Sequence, residues 1–287
     1  SCAALFTPRN VSYRRDVNVQ SAVLEYAVTP IERLDLSAGA STYRQTRDDS
    51  SSHSATAYLL GAAYTLPSNT TLRAAASRQV RLPTITQLYD ATSGDTNLKI
   101  ESARNRELAL AQQFGGNVSA ELVLFHNDVY NYIEKDDVSN KYRNFDHYRF
   151  SGYELIGNAV LGGVRLRASY TLLKSDNLSA GAAFAPLQYR PRNNYRLEAN
   201  YDFPYGVSAN ASVLTASHQY YYSRTTPTQQ AMLNNYTLLN FKLSKRLSDS
   251  GAALYVGANN VTNKNYETAY GFPQAGRVLF AGIEYAK

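Results

Sequence analysis

The stretch YRLEANYDF, residues 195–203, sets Tyr195, Leu197, Ala199, Tyr201 and Phe203 against Arg196, Glu198, Asn200 and Asp202. That alternation is the two-residue period of an extended strand; a helical period of 3.6 would mix the two sets. The pattern recurs. Leu166, Ala168, Tyr170 and Leu172 oppose Arg165, Arg167, Ser169 and Thr171, and Leu239, Phe241, Leu243 and Leu247 oppose Asn240, Lys242, Ser244 and Arg246. At the end of the chain Leu279, Ala281, Ile283 and Tyr285 share one side of a strand whose other side is mixed. The fold class is all-β.

Working outward, strands are expected near 12–28, 33–46, 55–66, 70–80, 102–114, 117–135, 141–161, 164–174, 189–203, 207–224, 231–247, 251–264 and 276–287. Six connections are short and carry Gly, Pro, Asn or Asp: TPIE (29–32), PSN (67–69), GGN (115–117), GG (162–163), PYG (204–206) and DSG (249–251). These are tight hairpin turns. The others, at 47–54, 81–102, 175–188 and 266–276, are long. Short turns at one end and long polar loops at the other are the asymmetry of an outer-membrane β-barrel. A soluble sandwich also alternates, but its strands average about five or six residues. Here several exceed twelve.

Composition permits this. The chain has 287 residues, 18% charged and 44% hydrophobic, with mean hydropathy −0.39. No run approaches the roughly 18 to 20 apolar residues of a spanning helix, whereas a barrel strand needs only about 9–11 alternating ones. The 24 Tyr beside 10 Phe and no Trp suit interfacial girdles, since a phenol ring has an apolar body and a polar tip. A Tyr-rich soluble β protein would share that composition. The single cysteine, Cys2, makes no internal disulfide or cysteine cluster. The formal charge of +6 is scattered, which gives no nucleic-acid footprint. SCAALFTPRN, residues 1–10, has no basic region followed by an apolar one, so no export signal is visible there.

Three blocks carry a resemblance that periodicity alone does not supply. They are RLPTITQLY (81–89) with GDTNLKIESARNRELAL (94–110), KYRNFDHYRFSGYELIGNAVL (141–161), and GANNVTNKNYETAYGFPQAGRVLFAGIEY (257–285). In order and spacing they resemble the C-terminal part of the barrel of TonB-dependent outer-membrane receptors. The resemblance implies a transmembrane antiparallel up-and-down β-barrel in the outer membrane of a Gram-negative bacterium. About 13 of an expected 22 strands are present, as one barrel domain over residues 1–287 with the N-terminal plug domain absent. It also implies high-affinity uptake of a scarce nutrient, a ferric siderophore first and cobalamin second. The implied partners are the extracellular metal chelate, the energy-coupling protein TonB through the plug, the barrel-assembly machinery, and outer-membrane lipid with lipopolysaccharide. The family ends in an aromatic residue read by that machinery. Here Tyr285 is displaced by Ala286 and Lys287, which puts assembly efficiency in question.

By the same resemblance, ligand contacts come from loops and the upper lumen. The candidates are Arg81, Tyr89, Tyr220, Tyr221, Tyr222 and Arg224: rings for stacking, arginines for an anionic chelate. Each has a structural alternative, the tyrosines as girdle residues and rim arginines against lipopolysaccharide phosphate. The motif residues Gly152, Asn259, Asn260 and Asn263 read as architecture: close strand packing, and amides that satisfy backbone where a strand becomes a loop. Haem receptors of the family carry a histidine between the segments at 81–84 and 95–98; none stands there, which disfavours haem. His53, His126, His147 and His218 lack metal-ligand spacing and read as loop or girdle residues. No cofactor and no metal is assigned. His53 with Asp48 and Asp49 is an acid–histidine grouping in a serine-rich loop that reads as solvated, and no catalytic residue is assigned. The rival from another class is a passive porin, whose plugless polar lumen would conduct.

Overall fold

The computed structural model describes residues 14–48, 50–136, 139–223, 225, 227–247 and 251–285. Ten strands come first: β1 Val17–Ile31, β2 Leu34–Arg47, β3 Ser52–Thr65, β4 Thr70–Arg81, β5 Glu101–Phe114, β6 Val118–Lys135, β7 Tyr142–Leu161, β8 Val164–Asn177, β9 Asn193–Phe203 and β10 Val207–Ser217. The short β11 Gln219–Tyr222 and β12 Gln230–Leu233 precede β13 Tyr236–Leu247 and β14 Ala252–Asn259. After β15 Glu267–Ala269 and β16 Phe272–Pro273, β17 Val278–Tyr285 closes the described chain. A one-turn helix, α1 Ile85–Tyr89, lies between β4 and β5.

Thirteen strands form one antiparallel sheet in the order β1 to β10, then β13, β14 and β17, while β11–β12 and β15–β16 are separate ribbons. Thirteen wall strands match the sequence expectation. Several bounds are corrected. β1 runs on to Ile31 through a bulge, so the first turn is Glu32–Arg33 and not TPIE. The single strands expected at 207–224 and 231–247 are each broken in two. His218, at φ 57, turns the chain out of the sheet after Ser217, and its N–H is held by the Asn235 carboxamide oxygen at 3.0 Å. β9 starts at Asn193 rather than 189, and β14 ends at Asn259 rather than 264. At Gly162–Gly163 two successive residues have positive φ, 57° and 84°, the backbone of a tight hairpin turn that only glycine enters freely.

Directly paired residues of an antiparallel sheet share a face. The register therefore sorts side chains into two surfaces. One carries the pairs Leu72–Leu110, Leu110–Leu122, Leu155–Tyr170, Leu197–Val213, Phe241–Ala258 and Leu254–Ile283. The other carries Asn105–Asn127, Arg167–Glu198, Asn200–Asn210 and Ser208–Ser244. The polar face is knitted together. Asn210 donates to Asn200 at 2.7 Å, the Ser208 and Ser244 hydroxyls meet at 2.8 Å, Arg165 pairs with Asp202 at 2.7 Å, and Arg73 pairs with Glu121. The apolar face stays exposed, Leu108, Leu60 and Leu124 among the exposed side chains. Tyr153, Tyr170 and Tyr195 line up on that face, Tyr170 stacked on Tyr195 at 4.5 Å. Tyr201 and Phe203 mark its other end on β9. This is a barrel wall, apolar outside and wet inside.

Candidate functional site

The long connections fold over the polar face at one end of the wall. The segment 82–100 is held there by residues of β2, both buried. Gln45 donates to the Pro83 carbonyl at 3.0 Å; Arg47 donates to Thr96 O at 2.7 Å and Leu98 O at 2.9 Å. Leu88, Leu98 and Ile133 form a small dry core with Val17, Tyr89 and Tyr142 packed on it. Thr84 caps α1 by a reciprocal box with Gln87. Asp90, its carboxylate accepting from Thr92 and Ser93, is held well below the usual carboxylate range.

This anchoring absorbs two of the candidates. Arg81 donates to Glu101 at 3.2 and 2.5 Å and to the Ile133 carbonyl at 3.2 Å, while Glu101 also accepts from the Ile133 N–H at 2.9 Å. The hydrogen bond to Glu101 raises the Arg81 pKa against its partial burial. Tyr89 packs on the dry core with the Arg15 guanidinium 5.3 Å over its ring. Both sit in the joint that fastens a loop.

The other candidates gather elsewhere. The β11–β12 ribbon joins the 178–192 loop through Tyr189 N to Tyr220 O at 2.9 Å, and the β15–β16 ribbon through Gln219 to Thr268 O at 2.7 Å. Tyr221 stacks on Tyr270 at 4.2 Å, nearly parallel, and its phenol pKa is raised by burial and that neighbour. Tyr222 stacks on Phe184 at 4.7 Å and donates its hydroxyl to the Pro186 carbonyl; burial and Tyr220 push its pKa up to about 12. Arg224 lies outside the described residues, as do Cys2, Asp49, Ala286 and Lys287.

Beneath Tyr222 is a pocket of about 310 Å³ on the inner face. Tyr148 and Phe150 of β7 form its floor, Phe184, Leu187 and Tyr189 its loop wall, and Lys135 and Arg190 line its rim. Tyr148 is 4% exposed, and burial, then the Glu134 carboxylate, raise its pKa. Asp136 at the rim accepts from Ser139 at 2.6 Å and Arg143 at 3.3 Å. Neither Lys135 nor Arg190 forms an ion pair among the described residues. Glu134, which accepts from the Tyr148 hydroxyl at 3.4 Å, also lines the pocket, and Arg190 donates to the Tyr189 carbonyl at 3.2 Å. The aromatic walls suit a flat or ring-bearing group, with Lys135 and Arg190 outside any described ion pair to meet negative charge. Of the described sequence candidates Tyr222 alone lines this pocket. Tyr148, Phe150, Phe184 and Arg190 were not singled out. The signal available was two rings and a base, Phe184, Tyr189 and Arg190, in one long loop.

The architectural residues behave as their motifs suggest. A Cβ at Gly152 would lie 1.9 Å from the Leu172 carbonyl. Asn260 donates to Lys264 O at 2.8 Å and accepts from Lys264 N at 2.8 Å, and Asn263 accepts from Arg277 N at 2.8 Å. Two of the histidines read as loop or girdle residues, His126 and His147, lie on β6 and β7 around one carboxylate. Asp128 accepts from His147 at 2.7 Å, Arg149 at 2.8 Å and His126 at 3.2 Å. The sequence did carry the signal, Asp146 standing beside His147 and Asp128 two residues from His126, whereas Asp48 near His53 is engaged by Arg15 at 2.9 Å.

Comparison with known proteins agrees with this wall. The family model "TonB dependent receptor-like, beta-barrel" matches residues 3–261. A vitamin B12 transporter, BtuB of Vibrio cholerae serotype O1, is 27% identical over 212 residues, 71% of this chain and 33% of its own length. Among solved structures, the copper transporter OprC superposes with TM-score 0.75 at 16% identity, covering 93% of this chain and 47% of that one. The pyoverdine outer-membrane receptor FpvA of Pseudomonas aeruginosa gives 0.75 at 17% identity, covering 94% and 42%. The chain thus spans about a third of the length of the curated relatives it matches.

Proposed function

The chain belongs to the TonB-dependent receptor-like β-barrel family, and on that premise we propose that it is the C-terminal part of an outer-membrane receptor for a ferric siderophore. The observation that carries the ligand class is the inner-face pocket, where Phe184, Tyr222 and Tyr148 supply ring surface and Lys135 and Arg190 stand outside any described ion pair, while the lining carboxylates Glu134 and Asp136 are engaged by Tyr148 and Arg143. A ferric chelate with acidic or catechol-like arms offers the matching anion and flat groups. The pyoverdine receptor FpvA, similar in fold, is consistent with that class.

In this account the wall supplies the lumen, the folded-in loops supply the contacts, and a plug on the longer protein, coupled to TonB, releases the ligand inward. The chain acts as a transporter and no chemistry is assigned to it. Cobalamin is the second reading, favoured by the 27% identity to a vitamin B12 transporter. The test is uptake by cells lacking the receptor and complemented with the full-length gene, using 55Fe-loaded siderophores and labelled cobalamin in parallel. Energy-dependent 55Fe accumulation lost on Arg190→Gln with Lys135→Gln supports the siderophore; cobalamin uptake alone replaces it. Passive flux of unrelated solutes through the full-length protein would favour the porin.

A further inference from the structure

Beyond Tyr130, β6 leaves the strand it has been paired with. The last β5–β6 pair is Ser102–Tyr130, whereas β6 and β7 continue together through Tyr132–Phe145 to Lys135–Tyr142. The change comes at Asn131, whose φ of 53° is a left-handed value that few residues but glycine and asparagine adopt. From there the hairpin tip, residues 132–145, runs without β5 alongside. An open strand edge leaves backbone N–H and C=O groups without partners. At Ile133 two side chains stand in for the absent strand. Glu101 accepts from its N–H at 2.9 Å, Arg81 donates to its carbonyl at 3.2 Å, and the two are bonded to each other at 3.2 and 2.5 Å. Asn144 adds a bond to the Asn131 carbonyl at 2.7 Å.

The tip so held has two sides. Ile133 lies buried in the dry core with Leu88 and Leu98 of the segment 82–100, and the Tyr142 N–H reaches Ser93 O at 2.8 Å. The next residues, Glu134, Lys135 and Asp136, line the inner pocket, as does Phe145 across the hairpin. Phe145 and Tyr132 pack on the buried Tyr148 ring at 5.7 and 4.9 Å, and Tyr148 donates to Glu134 at 3.4 Å. The facing wall, Phe184, Leu187 and Tyr189, belongs to a loop fastened through other partners: Tyr189 N–H to Tyr220 O, and the Tyr222 hydroxyl to Pro186 O. The width of the pocket is therefore the separation of two bodies that are anchored at different places.

We propose that Arg81 and Glu101 are positioning residues for this pocket. Neither lines it. Acting through the Ile133 backbone, they fix where the rim of Glu134, Lys135 and Asp136 stands against the 178–192 loop, and so set the fit of the pocket before a ligand arrives. A preformed wall favours binding because its ordering cost has already been met in the free protein. The charged pair suits the task, since a bidentate guanidinium–carboxylate fork fixes geometry that a single neutral hydrogen bond leaves loose. The inference rests on the receptor reading above and deepens it: it concerns how the site is held, not what fills it.

The test uses the full-length receptor in detergent, free of other cysteines and spin-labelled at Lys135→Cys and Leu187→Cys. Pulsed electron paramagnetic resonance then reads the distance across the pocket without any ligand. Wild type should give one narrow distribution, and Arg81→Gln and Glu101→Gln should each broaden it and shift it to longer distance. Arg165→Gln, which breaks an ion pair at the short-turn end of the wall, should leave it as in wild type. In cells, with unlabelled receptor and 55Fe-loaded siderophore as the probe, the same two variants should raise the KM for uptake about tenfold at unchanged maximal rate. A role confined to stability would lower the maximal rate through receptor number and leave KM alone, which would overturn the proposal. So would an unchanged distance distribution. Should the Gln variants fail to assemble, Arg81→Lys, which keeps the charge but loses the fork, must broaden the distribution. If wild type takes up no 55Fe, the siderophore reading falls, and the distance measurement alone decides the positioning role.

Discussion

The Asn144 carboxamide brackets the backbone of Lys99, accepting from its N–H at 2.8 Å and donating to its carbonyl at 3.1 Å, while the same amide reaches Asn131 O at 2.7 Å. Two motif blocks 45 residues apart, NLKIE and YRN, are joined by one side chain. Asn144→Ala leaves three backbone groups to find water, at a cost of about 1–3 kcal/mol. Limited proteolysis of the folded receptor should cut segment 82–100 faster, with ligand uptake falling as the roof loosens. Unchanged protection would remove Asn144 from this role.

Arg81 and Glu101 act as one unit through the Ile133 backbone. Arg81→Gln and Glu101→Gln should each destabilise by about 1–3 kcal/mol, and the double variant by little more than either alone. A thermal double-mutant cycle reads this. Strict additivity would contradict the shared joint.

Gly152→Val should block assembly, because its Cβ would meet a carbonyl 1.9 Å away and the Phe125 ring at 3.0 Å. Gly157→Ala is the control, with nothing within 4 Å of its Cβ. On a gel of unheated samples the folded band should be lost for Gly152→Val and retained for Gly157→Ala.

Asp128 lies beyond the girdle on β6. Burial opposes its charge, but hydrogen bonds from His147 and Arg149 prevail and hold its pKa at about 2. A depressed carboxylate contributes stability that is full above its unfolded value and is lost as pH falls through the folded one. Protection of the β6 and β7 amides, taken relative to their intrinsic exchange rates, should therefore fall between about pH 4 and pH 2 in wild type. In Asp128→Asn that fall should vanish.

Tyr222→Ala and Arg190→Gln each remove one wall of the inner pocket and should weaken ligand binding about tenfold. Tyr221→Ala, whose ring faces Tyr270, should change it far less. Equal effects would move the site away from the pocket.

Much of the wall was legible because alternation is local: Tyr195 to Phe203 declares its two faces whatever its neighbours are. Turn residues such as Gly162–Gly163 and Pro204–Gly206 fixed most hairpin ends. What failed was non-local. His218 has no sequence mark of its left-handed backbone, so the break after Ser217 was invisible. The one-turn helix rests on a Thr84–Gln87 box in a stretch too short for periodicity. The candidate pocket was less legible than the wall. Arg81 and Tyr89 have the chemistry of ligand contacts, but Glu101 and the Leu88 core occupy them. Tyr148 and Phe150 looked like ordinary strand residues until the 178–192 loop was laid over them.

Facing is the central claim, and cysteine labelling in intact outer membranes tests it directly. In a full-length background with Cys2→Ser, single cysteines at Leu108, Leu110 and Leu197 should react with a lipid-dissolved maleimide and resist a charged aqueous one. Cysteines at Glu107, Glu121 and Glu198 should show the reverse. Identical labelling of the two sets, or aqueous labelling of both, would contradict a wall with lipid on one side and water on the other.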